Sequence, residues 1–217
     1  MSRFGWMDDW ILPSLFWSSK EKDLPSMVEE FTRSSKIHQY ITLTYIALVP
    51  KKNANSFSDF RPISLCNSIY KIISKIIAGR IQGTLSRYIS QEQHSFLKDR
   101  IIHDVVANTD ESLHSIHTKK LEAIIFQIDW KKAYYCLDWG FLRCVLTKIG
   151  LRPNCTNWIM ACVEKVNFAI LINGHPTNYF CVARGLREGC SLSPLLFIPA
   201  MDFLSFQIKR VVSEGHF

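Results

Sequence analysis

Three groups of residues in this chain carry side chains suited to chemistry on phosphates. Asp129 closes the apolar run from Ala123 to Asp129. A carboxylate in such a place is costly unless it is paired, solvated or holding a cation. It reads either as an oxygen ligand for a hard ion such as Mg2+, which keeps several waters, or as a plain acid at a strand end. Lys51, Lys52 and Arg61 form the second group. A guanidinium can hold phosphate oxygens in bidentate fashion, whereas lysines in a polar stretch can equally be a solvated loop. The third group is Arg184-Gly185-Leu186-Arg187-Glu188-Gly189-Cys190-Ser191-Leu192-Ser193-Pro194. Its glycines, Gly185 and Gly189, permit close backbone approach.

Composition is compatible with a polyanion partner. The chain has 217 residues, a net charge of +7 and a pI of about 9.1. Each Lys or Arg that meets a phosphate releases condensed counterions, so a basic balance favours nucleic acid. Charge speaks to association and not to fold. Hydrophobic residues make up 47% and charged residues 21%, which describes a globular chain and excludes a disordered one. No apolar run approaches the roughly 18 residues of a membrane span. Asp8 and Asp9 interrupt any signal pattern at the N-terminus. A soluble, intracellular protein is the expectation. The seven cysteines contain no CxxC pair, so zinc is not indicated. Cys66, Cys136, Cys144, Cys155, Cys162 and Cys181 read as reduced, small core side chains.

The elements that must position these groups follow from periodicity. Residues 1 to 40, with Trp6, Trp10 and Trp17 among polar clusters, predict short, loosely attached helices. Ile41 to Val49 is rich in β-branched residues and predicts a strand ended by Pro50. Lys51 to Phe60 reads as a polar loop. Ile69, Ile72, Ile73, Ile76, Ile77, Ile81 and Leu85 recur at spacings of 3 and 4 and predict a helix from Asn67 to Tyr88, capped by Asn67 or Ser68. A second helix is predicted over about Ile101 to His117, burying Ile101, Val105, Val106, Leu113 and Ile116. Ala123 to Asp129 predicts a buried strand. Asp138 caps a helix that Gly150 stops, and Pro153 starts another. Phe168 to Ile172 and Tyr179 to Val182 flank Asn173-Gly174 and predict a hairpin. Ser193 to Val212 is helical, with Pro199 expected to kink or break it. Strands mix with helices without strict alternation, which gives an α+β fold with helices packed on a mainly antiparallel sheet.

Asp59-Phe60-Arg61-Pro62-Ile63-Ser64-Leu65-Cys66-Asn67, then Gln127-Ile128-Asp129-Trp130-Lys131-Lys132-Ala133-Tyr134, then the Arg184 to Pro194 stretch, in this order, resemble the reverse transcriptase of LINE-type (non-LTR) retrotransposons, especially the branch found in plant genomes. The resemblance covers about residues 41 to 212. It implies a partial right-hand polymerase, fingers and part of the palm, in residues 41–217, behind an N-terminal segment of residues 1–40. It implies an RNA template, a DNA primer, deoxynucleotides and Mg2+ as partners and cofactor. By resemblance Asp129 is the first metal-binding aspartate of the palm, and Arg61 the fingers arginine near the incoming nucleotide. Tyr134 is either the aromatic beside the incoming sugar or a core tyrosine. Arg187, Glu188 and Gly189 stand where the family has Arg-Gln-Gly, which implies a place for all three beside the nucleotide or nucleic acid.

The departures from that pattern carry their own expectations. Tyr135 replaces a second aspartate, which is expected to weaken the local hydrogen-bond network. Glu188 replaces the glutamine and puts a negative charge near a triphosphate; two unit charges at 4 Å repel by about 4 kcal/mol at an effective dielectric near 20. Cys190 and Ser191 replace Asp and Pro and should loosen the turn. The family's aromatic-Ala-Asp-Asp hairpin would follow the third motif and is not found before Phe217. Trp6-Met7-Asp8-Asp9 resembles it but precedes Asp129, and reads as coincidence. One aspartate cannot hold a two-ion site. The resemblance therefore implies a truncated domain without catalysis, or alternatively a residual nucleic-acid-binding module. An unrelated basic interaction module does not account for three ordered motifs.

Overall fold

The computed structural model describes residues 23–53, 55–97, 100–125 and 128–215. The Trp6 to Asp9 stretch lies outside them. Helix α1 (Asp23–Ser34) is followed by a single turn, α2 (Gln39–Thr42), and then by strand β1 (Thr44–Pro50). The predicted strand therefore starts three residues late and takes in its proline. Strand β2 (Phe60–Cys66) runs back antiparallel to β1, pairing Thr44 with Cys66 and Pro50 with Phe60. The sequence reading did not identify β2, because Pro62 sits inside it. Proline is confined to sheet edges, where its missing N–H costs no ladder bond. β2 is an edge strand. The N–H of Ser64, two residues on and thus facing the same way, points outward to the Glu188 carbonyl at 3.0 Å.

Strand β3 (Asn167–Ile172) pairs parallel with β1, and the short strands β4 (His175–Pro176) and β5 (Phe180–Cys181) pair antiparallel with β3. Asn173 and Gly174 both have positive φ, 50° and 81°, as the predicted two-residue hairpin turn requires. The mixed fold has a sheet that is mainly antiparallel, in the order β2-β1-β3-β4 with β5 also on β3.

The main apolar core is built between helices. α3 (Ser68–Tyr88) buries Tyr70, Ile73, Ile77, Ile81 and Leu85, with the Asn67 side chain accepting from the Ile69 N–H at 2.9 Å as its cap. Against it pack α7 (Pro153–Val163) and α8 (Leu192–Ser213), and α6 (Trp139–Lys148), capped by Asp138, packs on those two. Leu142, Leu146, Ile159, Met160 and Leu196 are almost wholly enclosed there. α8 runs through Pro199 without a break. Burial of Leu195, Leu196, Ile198 and Ala200 on the core outweighs the one intrahelical bond that proline removes. Among residues 23–40, α1 is not loose: Phe31 is in the core, and the Trp158 indole N–H donates to the Thr32 carbonyl at 3.0 Å.

Several expectations are corrected. Residues 121–125 and 128–130 form no strand, and Ile124, Ile125 and Ile128 are exposed. An apolar run makes a strand only where a neighbour completes its ladder, and among the described strands none lies beside it. The second helix, α4 (Ile102–Lys119), forms where predicted, but Ile101, Val105, Val106 and Leu113 stay exposed. Its apolar stripe stays largely at the surface, with Ile116 partly buried. All seven cysteines are free, yet Cys136, Cys144 and Cys181 are exposed. Cys144 lies off the α6 face that buries Leu142, Val145 and Leu146.

Two anchors hold the fold at its corners. The Arg100 guanidinium donates to the carbonyls of Ser86, Ile89, Ser90 and Gln93, closing the C-terminal end of α3. Ser90 also bonds to the Asp202 carboxylate of α8 through its N–H and hydroxyl. At the other corner, Gly185 has φ +97°, and a Cβ there would stand 2.8 Å from the Tyr135 carbonyl oxygen. Gly83, by contrast, lies in α3 with nothing within 4 Å of such a Cβ.

Gly185→Ala is expected to destabilise by at least about 2 kcal/mol, since a strained backbone alone costs 1–3 kcal/mol. Gly83→Ala should gain up to about 1 kcal/mol, from helix propensity. Urea titration compares them, and equal midpoints would contradict the close approach. Arg100→Ala should cost about 1–3 kcal/mol in the same assay, because it leaves carbonyls without their charged donor. An unchanged midpoint would show that solvent replaces it.

Candidate functional site

The first and third sequence motifs meet on one turn of helix, α5 (Ala133–Cys136), which carries the end of the second. The Leu186 N–H donates to the Tyr134 carbonyl at 2.6 Å and the Gly185 N–H to the Leu137 carbonyl at 2.8 Å. The Trp139 indole N–H donates to the Gly185 carbonyl at 2.8 Å. The loop entering α8 thus lies flat on α5. Its far end covers the β2 edge through the Ser64 to Glu188 bond. Covering an edge strand removes a template for unwanted pairing.

The Tyr135 hydroxyl lies at the centre. It stands 2.7 Å from the Pro62 carbonyl and 2.7 Å from a Glu188 carboxylate oxygen. A phenol has one proton, so it serves one of these acceptors at a time. Burial first, then the hydrogen bond to Glu188 and last the Glu188 charge, push its ionisation well above the ordinary tyrosine range. Tyr135, expected to weaken the local hydrogen-bond network, itself takes part in one here. Its partner Glu188 is the other principal departure from the family pattern, and the two meet. The turn after them is also firm. Cys190 is buried, with its sulfur 3.5 Å from the Tyr70 hydroxyl, and the Ser193 N–H donates to its carbonyl at 3.2 Å.

The cations Lys51, Lys52 and Arg61 gather at one end of the β1–β2 pair. Lys51 and Lys52 are exposed in the turn after β1, and Arg61 is exposed on β2 opposite Val49. Asp59 shapes this turn. Its carboxylate accepts from the Asn55 N–H at 3.1 Å, the Ser56 N–H at 2.9 Å and the Ser56 hydroxyl at 3.0 Å. These bonds, the Asn55 one foremost, hold its carboxyl below the usual range. Its carbonyl accepts from the Lys51 N–H at 2.9 Å. The sequence reading passed over Asp59; a serine three residues before an acid, the capping-box spacing, was the available signal.

The other candidate residues have distinct surroundings. Tyr134 is half-buried, with its ring 5.0 Å from that of Phe197, in a packing contact with the core. Arg187 is only 5% exposed. Its guanidinium lies 3.9 Å from the centre of the Tyr70 ring and donates to the Cys162 carbonyl at 3.1 Å. Gly189 has φ +95° and is exposed beside Ser64. Asp129 is exposed and solvated, in no regular element. Among the described residues, no three His, Cys, Asp or Glu side chains gather where they could hold a metal ion. The described residues therefore do not by themselves fit a two-ion Mg2+ site.

The geometry unites residues that lie far apart in the chain. Residues 49–216 match the family described as reverse transcriptase (RNA-dependent DNA polymerase). In Xenopus laevis, the "Transposon TX1 uncharacterized 149 kDa protein" is 26% identical over 198 residues, which is 90% of this chain and 15% of that protein. The "Retrovirus-related Pol polyprotein from type-1 retrotransposable element R2" of Popillia japonica is 22% identical over 170 residues, 77% of this chain and 24% of its own. A third relative, the "Retrovirus-related Pol polyprotein from type-2 retrotransposable element R2DM" of Drosophila melanogaster, is 26% identical over 165 residues, 76% of this chain and 15% of its own. The chain thus spans at most 24% of the length of these relatives. With the family match running through most of its length, the chain belongs to the reverse transcriptase family, in its LINE-type, non-LTR retrotransposon group.

Proposed function

We propose that residues 41–217 are the fingers and part of the palm of a right-hand polymerase, set behind an N-terminal segment of residues 1–40. In this reading the domain faces an RNA template, a DNA primer and deoxynucleotides. Lys51, Lys52 and Arg61 contact phosphates from the exposed end of the β1–β2 pair. Glu188 and Gly189 border the nucleotide position, and Tyr134 supports it from the core side. Placement in the plant-genome branch rests on the wording of the three motifs, Asp59 to Asn67, Gln127 to Tyr134 and Arg184 to Pro194.

We further propose that this chain on its own binds nucleic acid without extending a primer. The observation that carries this is the setting of Asp129. The family generally uses Mg2+, and phosphoryl transfer through a pair of such ions needs several carboxylates around them. Asp129 is solvated and no carboxylate cluster includes it among the described residues. The three cations at the β1–β2 end and the overall charge of +7 support binding, which does not depend on that cluster.

A primer-extension assay with Mg2+ and with Mn2+ is expected to give no product. Extension that disappears in Asp129→Ala would overturn the claim of lost catalysis. RNA binding measured across salt concentrations is expected to give a log–log slope of about −2, for three phosphates on a single strand. The slope should flatten toward zero when Lys51, Lys52 and Arg61 are changed to Gln together. A flat slope in the unaltered chain would remove the binding reading as well.

A further inference from the structure

Arg187 presents a charge that the fold does not balance. Its side chain is enclosed, and two of its donor nitrogens, Nε and Nη1, are buried with no oxygen acceptor and only the neutral Cys66 thiol turned toward the guanidinium. Nη2 donates to the Cys162 carbonyl, and the Tyr70 ring lies beneath the guanidinium. A guanidinium does not shed its proton in proteins. A buried charge that stays unpaired is strongly unfavourable, so such groups ordinarily have a counter-charge or hold a ligand.

No such counter-charge comes from the described residues. Arg187 makes no ion pair among them. Glu188, its neighbour in the chain, turns its carboxylate to Tyr135. The titratable groups facing Arg187 are Cys66, Cys162, Cys190 and Tyr70. Burial drives Cys66, Cys162 and Tyr70 up in pKa against the pull of the guanidinium, which keeps them neutral.

Beside the guanidinium lies a cavity of about 70 Å³. Ser64 and Ser193 are in its walls, and the exposed Arg184 lines it too. Two arginines, two serines and the tyrosines Tyr70 and Tyr135 thus share the wall of one otherwise apolar space that no carboxylate lines. We propose that this cavity is a binding site for a single phosphate group, with Arg187 as its enclosed base and Arg184 as its exposed cation. The site gives Arg187 a single phosphate of its own in place of the general nucleotide contact that the resemblance implies, and it does not depend on polymerase activity. It requires neither Asp129 nor a divalent ion. The phosphate has two possible sources, the free inorganic ion and the 5′ end of a nucleic-acid strand.

Equilibrium dialysis of the intact chain against labelled inorganic phosphate, at fixed ionic strength in chloride, measures binding directly. One saturable phosphate per chain is expected, together with a melting temperature that rises with phosphate as mass action requires. Arg187→Met should abolish both responses. It should still fold, because an apolar side chain of similar length can replace a buried charge without loss. Arg184→Gln keeps the enclosed base and should weaken binding about tenfold, which keeps the test decisive if Arg187→Met does not fold. No saturable phosphate in the unaltered chain would overturn the proposal and leave water as the solvent of the guanidinium. Undiminished binding in both variants would overturn it too, by assigning the ion to the surface. Competition by a short 5′-phosphorylated oligonucleotide, at least tenfold better than by its 5′-hydroxyl form, would identify a strand end as the source. Equal competition would identify the free ion.

Discussion

One phenol hydroxyl joins the pieces of this domain that are most distant in sequence. Tyr135 reaches both the Pro62 carbonyl and the Glu188 carboxylate. In doing so it ties the β2 edge, the α5 turn and the loop entering α8. The backbone bonds from Gly185 and Leu186 to Leu137 and Tyr134 run alongside it. They require a residue without a side chain at Gly185, because a Cβ there would collide with Tyr135 itself. The loop that carries Arg187 and Glu188 is therefore fixed from below by sterics and from the side by a hydrogen bond to a charged group, the stronger kind.

The helical core supplies the platform for this junction. Tyr70, on the first turns of α3, lies beneath Arg187 and also bonds to the Cys162 carbonyl. The same aromatic ring thus belongs to the core and to the wall of the cavity. A different situation holds at residues 121–130, where Ile124 is 81% exposed and Ile125 is 64% exposed. The domain is firmly packed around its loop junction and leaves apolar surface uncovered beside Asp129. Exposed apolar surface of this kind favours association. The contrast places the stable part of the molecule away from the aspartate that the family motif marks.

Much of the fold could be read from the sequence, because its signals are local. The α3 stripe, the caps at Asn67 and Asp138, the Asn173-Gly174 turn and the start of α7 at Pro153 each depend on a few neighbouring residues. What sequence reading missed depends on distant partners. β2 carries a proline that is tolerated only because its outer edge faces a loop from 120 residues further on, and no local rule contains that fact. The apolar run before Asp129 has strand composition but no described strand to pair with. At the site, the residue types were identified but not their companions. Tyr135 and Glu188 each read as a loss when judged alone against the family pattern, and their meeting in space becomes visible only in three dimensions. Arg187 was legible only as part of the Arg-Gln-Gly position of the family; its burial on Tyr70 leaves no periodic trace.

The central claim is that Tyr135 and Glu188 act as one bond holding the motif junction. A double-mutant cycle of Tyr135→Phe and Glu188→Gln, read by urea denaturation, isolates that pairwise energy. The account expects the two changes to be coupled by about 1–2 kcal/mol, within the range for hydrogen bonds to charged groups. Effects that add to within about 0.5 kcal/mol, the behaviour of independent sites, would contradict it.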